Sequence, residues 1–179
     1  MATVDPAAKE AIYREARAEL AALLDGVDDP VAVMASAASV LHHRIERASW
    51  TGFYRVVAPG RLRVGPYQGP PGCLEIPFDR GVCGAAARTG ESQVVADVHA
   101  FPGHIACDEG ARAEIVIPLR DRRGELVAVL DIDSHHPAAF DEDDRIGLES
   151  IAAFLGALFK LPSPESGASG PAHAPLRRA

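Results

Sequence analysis

The succession of periodicities along this 179-residue chain predicts an α+β domain in which one antiparallel sheet packs against N-terminal and C-terminal helices. Three observations carry the prediction. Two stretches with helical spacing open the chain, each behind an Asp-Pro pair; segments of period two follow from Trp50 onward; a last helical stretch closes the pattern behind an acidic run. No internal repeat is visible.

Asp5 is a natural N-cap with Pro6 at the first helical position, and Ile12, Ala16, Leu20, Leu23 and Leu24 recur at helical spacing until Gly26. Asp29-Pro30 repeats the start, and Met34, Ala37, Ala38, Leu41 and Ile45 mark an inward face. The period then changes. Trp50 to Val57 and Leu62 to Val64 read as strands around a turn at Ala58-Pro59-Gly60, and Leu74 to Pro77 as a short third strand. The small residues from Gly81 to Thr89, ended by Gly90, predict a short helix carrying Cys83 near its start, where the helix dipole would favour a thiolate. Gln93 to Ala96 is a further strand, and His99 to Ala113 a long loop or broken helix. Glu114 to Leu119 and Leu126 to Asp133 form a hairpin across the polar connection Asp121-Arg122-Arg123-Gly124. Asp141 to Asp144 read as a helix start, with Ile146, Ile151, Phe154, Leu155 and Leu158 facing inward. The domain is therefore expected over residues 1–160, with 161–179, rich in Pro, Ser, Gly and Ala, as a disordered tail.

Composition narrows the function. With 47% hydrophobic and 24% charged residues the chain reads as a soluble globular protein, and a formal charge of -7 argues against nucleic acid, which needs a basic face. The first ten residues lack a basic segment followed by an apolar one, and no apolar run approaches the roughly 20 residues of a membrane span. Neither secretion nor membrane insertion is expected; the cytoplasm, with thiols reduced at rest, is.

Cys73, Cys83 and Cys107 are the only cysteines, all in one central stretch. An odd number excludes a fully paired disulfide framework, and no Cys-x-x-Cys is present. A zinc site built from these three with His99 or His104 would be irregular in spacing, so no metal is expected. Two readings remain from composition: three buried thiols acting as small apolar groups, or a redox group. His104, three residues before Cys107, could serve as a base, but a histidine beside a Pro-Gly turn is more often a surface or backbone-bonding residue.

Asp131 and Asp133 are two apart in a strand and so share a face, with Leu130 and Ile132 on the other. If the hairpin loop has an even number of residues, Glu114 stands opposite Asp131 and three acids share one patch; an odd loop would break that inference. Opposed like charges destabilise a sheet unless a cation binds or one member stays protonated. The alternative is that these acids end strands and face solvent. A thiol group beside an acidic pocket suits reduction of a small oxidised amine, since acids hold an ammonium, a protonated carboxyl donates to a leaving oxygen, and a second thiol can accept the oxidation equivalent.

Seven segments together are similar to a known family. Trp50-x-Gly52-Phe53-Tyr54, Gly65-Pro66-Tyr67-Gln68-Gly69, Gly81-Val82-Cys83-Gly84, Asp97-Val98-His99, Phe101 to Asp108, Glu114-Ile115-Val116 and Leu130 to Ser134 resemble free methionine-(R)-sulfoxide reductase, a family of GAF-domain enzymes. The resemblance runs from about Trp50 to the final helix. It implies a GAF fold, reduction of free L-methionine-(R)-sulfoxide with thioredoxin as electron donor, no bound cofactor, and a homodimer. It further implies Cys107 as the nucleophile that becomes a sulfenic acid, Cys73 as the principal resolving cysteine and Cys83 as an auxiliary thiol. Glu114, Asp131 and Asp133 match the family's pocket acids, and Trp50 and Tyr54 the aromatic residues lining the substrate site. Ala111 and Ala113 stand where hydroxyl residues are frequent in the family, and Asp79 where glycine is usual. The rival expectation is a ligand-binding or redox-sensing GAF module without turnover; the lack of a following output domain favours the enzyme.

Overall fold

A computed structural model describes residues 5–105 and 107–159; the expected tail over 161–179 lies outside them. The element order is α1 (Pro6–Leu23), α2 (Pro30–Arg44), β1 (Trp50–Ala58), β2 (Arg61–Gln68), β3 (Glu75–Pro77), α3 (Gly81–Thr89), β4 (Gln93–Val95), a 3-10 turn (Val98–Ala100), β5 (Ala113–Arg120), β6 (Leu126–Ser134) and α4 (Glu142–Gly156). The six strands form one antiparallel sheet in the order β3-β2-β1-β6-β5-β4. The predicted α+β class and its element order are what the chain adopts.

Alternation divides each central strand between two cores. Phe53, Ile115, Ile117, Leu130 and Ile132 point to a layer made of α1, α2 and α4. Tyr54, Val116 and Val129 point the other way, to α3. Trp50, Gly52, Glu114, Asp131 and Asp133 share the parity of that second set, so the whole candidate site falls on the α3 face.

The helix starts behave as read: Asp5 accepts from the Ala7 amide at 3.2 Å and Asp29 from the Ala32 amide at 2.8 Å. Asp141 and Asp144 form a capping box at the start of α4. Two inward assignments need correcting. Leu23 and Ile146 are 54% and 55% exposed. The buried line of α4 runs through Asp144, Leu148, Ile151, Ala152 and Leu155, and that of α1 through Lys9, Tyr13, Ala16 and Leu20. Asp144 accepts hydrogen bonds from Lys9 Nζ (2.7 Å), Tyr13 Oη (2.6 Å) and Arg47 Nη2 (2.6 Å). This network turns Asp144 inward, and Ile146, two residues on, is carried to the opposite side of the helix. Phe154 and Leu158 are only partly buried at the edge of that core.

Candidate active site

The hairpin that carries the acids has its own register. Arg120 pairs with Leu126, so the five residues Asp121 to Glu125 form an odd loop, closed by the Asp121 amide on the Glu125 carbonyl at 3.0 Å with Gly124 at φ +82°. An odd loop alone would put Glu114 and Asp131 on opposite faces. A bulge beside Leu119–Arg120 inserts one further residue and restores the parity. The expected pairing is therefore shifted by one pair: Glu114 stands opposite Asp133, not Asp131, which faces Val116. The three acids still share one face.

On β6's other side, Trp50 lies opposite Asp133 and Gly52 opposite Asp131. The Trp50 ring stacks between Tyr54, with ring centroids 5.7 Å apart, and Tyr67, 5.2 Å away, while its Nε1 donates to the Pro70 carbonyl at 3.1 Å. A Cβ on Gly52 would lie 2.4 Å from the Tyr67 Cβ and 2.6 Å from Trp50 Cη2. Only glycine leaves room there for the aromatic stack. Tyr67 lies in one of the recognisable motifs yet carried no expected role; its part is to hold the Trp50 ring flat.

Cys83 is buried on α3, its Sγ 3.8 Å from Glu114 Oε1. The expected thiolate at a helix start is not what its surroundings favour. Burial first, and then the charges of Asp131 and Glu114, push the thiol well above its ordinary value. The same causes act on the acids. Burial, then the charge of Asp131, raises both Glu114 and Asp133 well above the carboxylate range, and burial lifts Asp131 to about 7 even though hydrogen bonds from Cys83 and Glu114 oppose it. Tyr54 is pushed up as well, chiefly by burial. Among the described residues no Lys or Arg lines this cavity, and the Asp131 Oδ1 atom is buried without a partner. Burial without a facing cation thus favours the protonated form of these acids.

Cys73, between β2 and β3, and Cys107, in the loop after the 3-10 turn, are joined in a disulfide with Cα atoms 5.2 Å apart. The resemblance gives these two as nucleophile and resolving cysteine, and the pair is seen here in its oxidised form. Beyond Cys107, Asp108 takes a hydrogen bond from the Gly110 amide and pairs with His135 Nε2, both at 2.8 Å, and the His135 bond holds its carboxyl below the usual range. Ala111 and Ala113 are buried and bring no hydroxyl toward Glu114, whose side-chain partners are Cys83 and Asp131. Asp79 is exposed in the turn before α3 and takes no part in the site.

Trp50, Tyr54, Cys83, Cys107, Glu114, Asp131 and Asp133 line one cavity of about 30 Å³, beside which lies Cys73. Seven of the eight expected site residues thus meet at one place, and the eighth is bonded to it. Two larger clefts, of about 790 Å³ beside Arg120 and Arg145 and about 690 Å³ between α1 and α4, hold no thiol.

Comparison with known proteins places the chain in a family. Residues 9–158 match the GAF domain family model. The protein YtsP of Bacillus subtilis is 43% identical over 148 residues, 82% of this chain and 90% of that one. The free methionine-R-sulfoxide reductase of Escherichia coli is 37% identical over 147 residues, 82% of this chain and 88% of that one. The X-ray structure of the free methionine-R-sulfoxide reductase of Neisseria meningitidis in complex with its substrate superposes with a TM-score of 0.81 at 41% identity, covering 89% of this chain and 93% of that one.

Proposed function

The chain belongs to the free methionine-(R)-sulfoxide reductases of the GAF-domain family, and from that premise we propose that it reduces free L-methionine-(R)-sulfoxide to methionine by thiol chemistry. The observation that carries the reading is a Cys73–Cys107 disulfide at a cavity walled by three protonatable acids and an aromatic stack.

The reaction begins with both thiols reduced. Asp131 and Asp133 hold the substrate ammonium, a group that a methionine inside a peptide lacks, and Trp50 and Tyr54 pack around the methyl sulfoxide end. Binding the cation also stabilises ionised carboxylates here, which relieves their mutual repulsion. Glu114, held protonated by burial, donates a hydrogen bond to the sulfoxide oxygen as Cys107 attacks sulfur. The oxygen passes to Cys107, which becomes a sulfenic acid, and methionine leaves as the thioether. Cys73 then condenses with the sulfenic acid; the S–S bond forms and water departs. The disulfide seen here is the product of that step. Cys107 in the disulfide has no thiol with which to attack sulfur, so turnover requires that substrate meet the reduced form. A thioredoxin dithiol returns two electrons and two protons to the pair, with Cys83 able to enter the exchange. No cofactor has to be bound for these steps. A reducing compartment such as the cytoplasm suits the cycle, and a homodimer is the assembly to be tested by sedimentation.

Thioredoxin-coupled NADPH oxidation tests the reading with the free R sulfoxide, its S epimer and an N-acetylated form, with Cys107→Ser as control. The expected result is turnover of the free R form alone. No turnover of it, or equal turnover of all three, overturns the proposal.

A further inference from the structure

Cys83 is the cysteine that the Cys73–Cys107 disulfide leaves out, and with that bond in place it is the only thiol of the chain. Its side-chain partners are Glu114 on β5 and Asp131 on β6, strands against which α3 packs. Cys83, Glu114 and Asp131 are all buried, at 2%, 6% and 5% exposure. One donor atom from each, a sulfur or a carboxylate oxygen, lies within 4.8 Å of the other two. The Cys83 Sγ to Glu114 Oε1 separation is 3.8 Å, close to the roughly 3.6 Å spanned at the tetrahedral angle by a sulfur about 2.3 Å and an oxygen about 2.1 Å from zinc. Because each donor sits on a regular element, the set stands assembled before a ligand arrives. A separate observation shows that the set is incomplete by itself: Asp131 Oδ1 is buried in the cavity wall without a hydrogen-bond partner, and among the described residues no Lys or Arg lines the cavity. The cavity, of about 30 Å³, exceeds the roughly 10–15 Å³ that one water-sized ligand needs. Donor chemistry selects the ion. One thiolate with two carboxylates is too soft a set for Mg²⁺ or Ca²⁺, which take oxygen ligands, and matches the sulfur and oxygen donors that zinc accepts.

We propose that Cys83, Glu114 and Asp131 form a binding site for one divalent cation of the zinc class, with the thiolate and two carboxylates as ligands and water in the fourth position. The protons of the ligands leave to solvent as the ion enters. This donor set differs from the three cysteines and a histidine that the spacing argues against, since it takes one cysteine and recruits two acids from the hairpin. Ion binding goes beyond the reductase reading and does not depend on it, although the ion takes the Asp131 oxygen which that reading gives to the substrate ammonium.

The test titrates the full chain, in its disulfide form, with Co²⁺, which occupies zinc sites and reports a bound thiolate by a ligand-to-metal charge-transfer band. Since Cys83 is then the only thiol, the band reports this site alone even where surface histidines also take metal. It should reach full height at one equivalent of Co²⁺, be abolished by Zn²⁺ and survive a large excess of Mg²⁺. Asp131→Asn and Glu114→Gln, which keep the side-chain shape, should each weaken Co²⁺ binding at least about 10-fold, and Cys83→Ser should remove the band. A band that never forms, or one whose midpoint neither acid substitution moves, overturns the site. Should Cys83→Ser fail to fold, the two acid variants decide, each checked for a wild-type far-ultraviolet circular dichroism spectrum. A protein that shows the band, yet metal-free leaves the free R sulfoxide unreduced, supports the site and overturns the reductase reading instead.

Discussion

Asp144 and Asp131 are both buried carboxylates, 0% and 5% exposed, yet their surroundings are opposite. Asp144, in the helical layer, is met by Lys9, Arg47 and the Tyr13 hydroxyl. Asp131, on the other face of the sheet, is met by Glu114, Asp133 and the Cys83 thiol, with no Lys or Arg lining its cavity among the described residues. Burial makes an uncompensated charge costly in both places. The chain resolves the cost internally at Asp144, which ties α1 to α4, and leaves it open at Asp131. An unresolved cost of this kind is tolerated where an incoming ligand supplies the missing charge.

The largest effect should come from breaking the compensated cluster. Asp144→Asn leaves Lys9, 4% exposed, without its buried counter-ion, and should destabilise the protein by about 3–5 kcal/mol in urea unfolding. A change under 1 kcal/mol would show that the two clusters are energetically alike. Next, Glu114→Gln removes the proton donor and one of three competing acids, so turnover should fall about 100–1,000-fold while stability holds or rises. Unchanged turnover would remove its acid role.

Asp131→Asn sharpens the comparison through pH. Burial raises the Asp131 carboxyl above its unfolded value, so its contribution to stability is fully present below the unfolded pKa and is lost as pH rises through about 7. The Asn variant should therefore be more stable than wild type by about 1–2 kcal/mol at pH 8, with the advantage gone near pH 4; urea midpoints at the two pH values check the sign. A variant less stable at pH 8 contradicts the uncompensated reading. The smallest effect belongs to the exposed pair: His135→Ala, which frees Asp108, should change stability by no more than about 0.5 kcal/mol, read as a shift in thermal midpoint.

Much of this was legible along the chain. The two Asp-Pro starts, the Leu130/Asp131 alternation and the small residues of Gly81 to Thr89 each encode a local geometry, and the elements form where those signals stand. The motifs around Trp50, Cys107 and Asp131 were enough to recognise the family. Ile146 was misplaced because its apolar character competed with Asp144 for the inward face, and a buried acid is invisible until its partners are known. Glu114 was set opposite Asp131 because a bulge leaves no mark in a pattern of period two.

By itself, then, the sequence determined the elements, their order and the face on which Asp131 and Asp133 project, since backbone period and capping are properties of a few adjacent residues. Tertiary structure alone decided which charges are compensated. Lys9 reaches Asp144 across 135 positions, and Cys73 reaches Cys107 across 34. The physical reason is that desolvation and charge pairing depend on what the whole fold brings within a few ångströms, so the same residue type, an aspartate in a regular element, becomes an anchor in one layer and a waiting binding group in the other.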